Sequence, residues 1–207
     1  VEVAAIVSQA EPLAAMIPEV RTHRVLTNET CAHRCSFCDT RREHERASVA
    51  GPEALAARID AAGAAGAEEV VLTGGEPTLR RDLARWIARA RDTGARVVLE
   101  TNGAPIDAAA ARAYATAGLT TARLHVPGHD AFVAVTGDAT GWARACEAAA
   151  LLAAAGVTIE AVIPIVAATL PELDTLPSVI ARAMPAVSAL RARVVAPNVI
   201  DGPLPTS

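Results

Sequence analysis

The chain has 207 residues, enough for one large domain or two small ones, and 52% of them are hydrophobic, much of that alanine, with only 2% aromatic. A formal net charge of −4 gives no bulk electrostatic attraction to nucleic acid. All 19 basic residues are arginine, which excludes a lysine Schiff base and a Walker-type phosphate loop.

Residues 1–19 read as a short amphipathic lead-in broken by Pro12 and Pro18. Alternation from Val20 to Thr27 predicts a first strand. Arg41 to Arg46 is a charged loop, and Pro52 opens a helix that runs to about Ala65. Strands follow at Glu69–Thr73, Arg96–Glu100, Thr121–Val126, Val157–Ile165 and Leu190–Ala196. Between them lie helices from about Thr78 to Asp92, Asp107 to Ala117, Thr140 to Ala155 and Pro171 to Met184, the last interrupted by Pro177. Asp107 and Thr140 are placed to cap their helices, and Gly94, Gly118 and Gly156 to stop theirs. Residues 198–207 read as a tail or linker after a domain spanning 20–197.

Strands alternating with helices, without a hairpin signal, predict an α/β fold with a parallel sheet and helices outside. Two architectures compete, a partial (β/α)6 TIM-like barrel and a doubly wound open sheet. The distinctive segments favour the barrel. Cys31–Asp39, Gly74-Gly75-Glu76-Pro77, Thr101-Asn102-Gly103 and Pro127–Asp130 each follow a different consecutive strand. In β/α barrels the chemistry gathers at the carboxyl ends of the strands.

Cys31, Cys35 and Cys38 stand at spacing C-x3-C-x2-C, with Phe37 before the last. Thiolates are soft ligands for iron–sulfur clusters and zinc. A cubane cluster takes roughly four cysteines, one per iron. Three close cysteines would leave one iron open, as catalytic metal sites do. A zinc site completed by His33 or His44 is the competing reading. Cys146 lies in an alanine-rich helix and reads as a small core residue.

The cysteine segment, followed one unit later by Gly74-Gly-Glu-Pro77, resembles the radical S-adenosylmethionine (SAM) superfamily. The resemblance runs from about Arg21 to Pro197. It implies a [4Fe–4S] cluster on the three cysteines, with S-adenosylmethionine on the open iron as second cofactor. It implies that Phe37 shields the cluster and that Gly74, Gly75, Glu76 and Pro77 receive the methionine end of SAM. It also implies a one-electron donor such as a flavodoxin or ferredoxin. The run from Leu124 to Val157 looks closer to the molybdenum-cofactor and peptide-maturase branch, which makes a peptide a possible substrate. Cys38-Asp-Thr40 with Glu100–Gly103 has features of 7-carboxy-7-deazaguanine synthases. An activase acting on a partner protein, and a metal- or cluster-binding protein without SAM chemistry, are the alternatives.

One expectation rests on periodicity alone. Strands buried on both faces should be nearly continuous apolar runs. Here Glu100 and Asn102, Arg123 and His125, and Glu160 alternate with apolar residues. Their polar faces should meet inside the barrel, with Glu100 or Glu160 pairing Arg123. Asn102, Arg123, His125 and Glu160 thereby join the candidate cofactor-binding residues. No segment is long and apolar enough to span a membrane, and no basic-then-apolar leader is visible, so a cytoplasmic protein is expected.

Overall fold

The computed structural model describes residues 20–38 and 50–195. The lead-in, the Arg41–Arg46 loop, His44, Asp39, Thr40 and the tail lie outside these residues. The described residues form one sheet of strands β1 (Thr22–Leu26), β2 (Glu69–Thr73), β3 (Arg96–Thr101), β4 (Leu119–His125), β5 (Thr158–Ile165) and β6 (Val187–Val194). All neighbours pair in parallel and the spatial order is β1-β2-β3-β4-β5-β6. A doubly wound sheet reverses its order at a switch point. This sheet never reverses. It also curls, because Arg24 on β1 and Arg193 on β6 line the same cavity. The molecule is therefore a partial barrel.

The crossovers carry α1 (Pro52–Ala64), α2 (Leu83–Asp92), α3 (Ala108–Ala117), α4 (Phe132–Thr136), α5 (Gly141–Ala154) and α6 (Leu176–Ala183). The Asp107 side chain caps α3 by accepting from the Ala110 amide at 2.7 Å, and Gly118 ends it at φ 108°. Thr140 does not cap α5 through its side chain. The helix expected from Thr78 begins at Leu83, because Pro77–Leu79 form a 3-10 turn first. The helix expected from Pro171 is likewise split into a 3-10 segment, Ala167–Glu172, and α6. β6 starts at Val187 rather than Leu190.

The two faces of the sheet separate as the alternation requires. Val70, Leu72, Val97, Leu99, Ala122, Leu124, Ile159 and Ala161 face the helices and share one hydrophobic cluster with Leu55, Ile59, Trp86, Ile87 and Leu152. The opposite faces turn inward and carry two tiers of charge. In the lower tier Arg123 donates to both oxygens of Glu69, at 2.9 and 3.1 Å, and to Glu160 at 2.9 Å. Arg96 also bonds Glu69, at 2.5 Å, and Arg191 bonds Glu160 at 2.6 Å. In the upper tier Arg24 of β1 forks onto Glu100 of β3, and the Thr73 hydroxyl donates to the same carboxylate at 3.1 Å.

Of the two expected partners of Arg123, Glu160 is present and Glu100 is not. Glu100, Arg123 and Glu160 are level in register on adjacent strands. Yet Glu100 is taken by Arg24, and the long Arg123 side chain crosses to Glu69 at the start of β2. Burial alone would raise the Glu69 and Glu100 carboxyls, but the arginine hydrogen bonds outweigh it and hold both below the usual carboxylate range. Glu160 is held low by Arg191 first, against burial, and then by Arg123.

Two outcomes follow for stability. Arg123→Ala should cost about 2–3 kcal/mol in chemical denaturation, less than a fully isolated buried pair because Arg96 and Arg191 remain as partners. Carboxylates with a depressed folded-state pKa contribute stability that is present above the unfolded value, ~4.3, and is lost as pH falls through the folded value. The denaturation midpoint should therefore fall steeply below pH ~4.3, and Glu69→Gln should make that fall shallower. An unchanged acid limb in Glu69→Gln would count against the ion network.

Candidate active site

At the carboxyl end of the sheet the chain builds a cavity of about 480 Å³. Its floor is the upper tier, Arg24, Thr73, Glu100, His125 and Arg193, and its rim is the three cysteines, Phe37, Gly74, Gly75, Glu76 and Asn102.

The rim is assembled by a backbone ladder. After β1, Thr27 donates its amide to the Thr73 carbonyl at 2.8 Å. The Asn28 carbonyl then accepts from Gly75 at 2.8 Å, and the Thr30 carbonyl from Glu76 at 2.7 Å. The lead-in to the cysteines is thus laid against Gly74-Gly75-Glu76. The two glycines make that approach possible. A Cβ at Gly74 would stand 2.2 Å from the Asn28 carbonyl oxygen, and one at Gly75 would stand 2.2 Å from that of Thr30. Gly74 also holds φ at 144°, which side-chain-bearing residues rarely adopt.

Glu76 ties this loop to the next strand. Its carboxylate accepts from the Thr78 amide at 3.1 Å, the Thr78 hydroxyl at 2.6 Å, the Thr101 hydroxyl at 2.6 Å and the Asn102 amide at 2.7 Å. Burial pushes the carboxyl up, and these four hydrogen bonds pull against it. Three of these bonds fall on Oε1 and one on Oε2, so the carboxylate organises the rim while Glu76 still lines the cavity.

Cys31 sits where these pieces meet. Its sulfur accepts from the His33 amide at 3.4 Å and from the Asn102 side-chain amide at 3.6 Å. Burial pushes the Cys31 thiol up to about 11, so a metal must displace its proton on binding. On its far side the cysteine loop is braced by α4, an element the sequence reading missed. Arg34 donates its amide to the Thr136 carbonyl at 2.9 Å and Ser36 to that of Val135 at 2.9 Å. The His33 ring bonds Asp138 at 3.1 Å and meets Phe132 edge-on at 6.0 Å. A five-residue helix is too short to show periodicity, so nothing in the sequence marked it.

Of the predicted cofactor-binding residues, Phe37, Gly74, Gly75, Glu76, Asn102 and His125 line the cavity beside Cys31, Cys35 and Cys38. Pro77 is buried in the 3-10 turn outside it, and Arg123 and Glu160 lie in the lower tier. Cys146 is on α5, packed against the helix-side core. Among the described residues, no three His, Cys, Asp or Glu side chains converge as they would around a single ion. The donor set suits a cubane better than zinc, since each thiolate would meet a different iron. His33, the described candidate for a fourth zinc ligand, is engaged with Asp138.

The radical SAM superfamily profile matches residues 25–169. The chain belongs to the radical SAM superfamily. Radical SAM enzymes use a [4Fe–4S] cluster and S-adenosylmethionine, and the three cavity-lining cysteines fit that cluster. A probable GTP 3′,8-cyclase from Sulfurisphaera tokodaii is 38% identical over 81 residues, 39% of this chain and 26% of that protein. An Fe-coproporphyrin III synthase from Methanosarcina barkeri is 35% identical over 94 residues, 43% of this chain and 23% of that protein. Streptococcus suis SuiB bound to S-adenosylmethionine superposes with a TM-score of 0.72 at 15% identity, over 94% of this chain and 44% of that one. The same protein has also been solved with its precursor peptide SuiA. This chain therefore spans about a quarter of the length of those two curated relatives. Among the described residues no helix is long and apolar enough to cross a membrane.

Proposed function

We propose that this chain cleaves S-adenosylmethionine reductively and removes a hydrogen atom from a substrate held in the cavity. The observation that carries this is the meeting of Cys31, Cys35 and Cys38 with the Gly74-Gly75 backbone in a single cavity whose floor is polar. When bound, the cluster and SAM supply a 5′-deoxyadenosyl radical, at the cost of one electron and with methionine released. The chain's own residues bind and position. The three thiolates hold three irons, and Phe37 shields that side from water. The Gly74-Gly75 backbone receives the amino group of SAM. Asn102 orients Cys31 through its side-chain amide, and His125 faces the ligand from the floor. Arg123 and Glu160 take no part here, because the lower tier already satisfies them.

The electron comes from an external donor of the flavodoxin or ferredoxin class, in the cytoplasm. The SuiB complex with a precursor peptide supports a peptide substrate. The cyclase relative supports a small molecule. Electron paramagnetic resonance tests the cofactor reading. The reduced, reconstituted protein should show a cluster signal that changes on adding SAM. A signal indifferent to SAM would favour a cluster-binding protein without this chemistry.

A further inference from the structure

The two charged tiers inside the barrel differ in one respect. In the lower tier every arginine meets a carboxylate, Glu69 or Glu160. The upper tier has a single carboxylate among its floor residues, Glu100, and Arg24 and Thr73 occupy it. Arg193 lies two residues beyond Arg191 on β6 and lines the cavity, with no hydrogen bond or ion pair among the described residues. His125 lines the same floor, and its Nε2 is buried without a partner among the described residues. Burial, helped by the charges of Arg193 and Arg24 and against Glu100, holds the imidazole below its ordinary range. It is thus neutral near pH 7 and cannot itself repel a cation or balance one.

Among the described residues the floor therefore carries two guanidinium groups and one carboxylate, with Arg24 on that carboxylate and Arg193 lining the cavity. A guanidinium is a planar fork matched to carboxylate and phosphate oxygens. Arg193 is carried by β6, whereas the glycine rim assigned to methionine is built by the segments that follow β1 and β2. We propose that Arg193 is a substrate-recognition residue, and that the substrate carries a carboxylate or phosphate which this arginine holds within the cavity. The proposal rests on the SAM reading of the same cavity.

The test uses the anaerobically reconstituted protein with SAM added. Isothermal titration calorimetry at low salt measures the affinity of pyrophosphate and of glutarate for wild type, Arg193→Ala and Arg193→Lys. Because Arg193 is exposed and makes no hydrogen bond or ion pair among the described residues, both variants should fold as wild type does. One of the two anions should bind, and which one binds separates phosphate from carboxylate. Arg193→Ala should weaken it by about tenfold or more, and Arg193→Lys by less, while SAM affinity stays the same. The proposal is overturned if neither anion binds wild type, or if Arg193→Ala leaves anion binding unchanged. It is also overturned if Arg193→Ala weakens SAM about tenfold, since the arginine would then serve the cofactor. A sample that binds no SAM at all sinks the cofactor reading separately, and the anion titration on that sample still reports on Arg193.

Discussion

Replacing Cys31, Cys35 or Cys38 with alanine should each abolish the iron–sulfur cluster, while Cys146→Ala leaves iron loading at the wild-type level. The first three thiols line one cavity. Cys31 in particular is half-buried with its thiol pushed up to about 11, an unfavourable place for a thiolate unless a metal takes the proton's place. Cys146 packs on the helix side of the sheet, outside the cavity. Each loss should be all-or-none, because a cubane with only two protein thiolates has two open irons and falls apart in solution. Iron and acid-labile sulfide per chain after anaerobic reconstitution decide the matter. Full loading in any of the three variants would remove the basis for the site.

The second large effect is expected at Glu76. Glu76→Ala should destabilise the fold by ~4 kcal/mol, because two buried backbone donors, Thr78 and Asn102, lose their acceptor at about 1–3 kcal/mol each. The hydroxyls of Thr78 and Thr101 can rotate elsewhere and add less. Glu76→Gln should cost less than alanine but still more than ~1 kcal/mol. Its amide oxygen can keep the three donors now on Oε1, but its NH2 would then face the Asn102 amide, a donor against a donor. For a chain of this length each kcal/mol shifts Tm by roughly 2–4 °C, so thermal and urea unfolding resolve both variants. If Glu76→Ala lost less than ~1 kcal/mol, the carboxylate would not be organising the rim.

Much of this architecture was legible in residue order. The strand positions from Glu69 to Ile165 emerge where expected, because each apolar face had to meet a helix and its alternation showed which face that was. The inward placement of Glu100, Arg123, His125 and Glu160 follows from the same parity. Of the two partners of Arg123, Glu160 followed from register and Glu69 did not. Register sets which residues are level, but a guanidinium on a long stem reaches past its neighbours, and Arg24 from β1 crosses β2 to claim Glu100. β6 was misplaced for a different reason. Most of its residues are exposed on both faces, so no burial contrast marks its start. The glycine pair shows the limit at the site itself. Its spacing suggests room for a ligand, yet part of that room is filled by Asn28 and Thr30 of the same chain. Only the folded structure shows that Glu76 serves Thr78, Thr101 and Asn102.

The most direct test of the central claim is product analysis after anaerobic reconstitution, reduction and addition of SAM. The account predicts slow formation of 5′-deoxyadenosine and methionine in equal amounts even without added substrate, and none from the cysteine variants. A protein that carries a full [4Fe–4S] cluster, is reduced, and still leaves S-adenosylmethionine intact would contradict it.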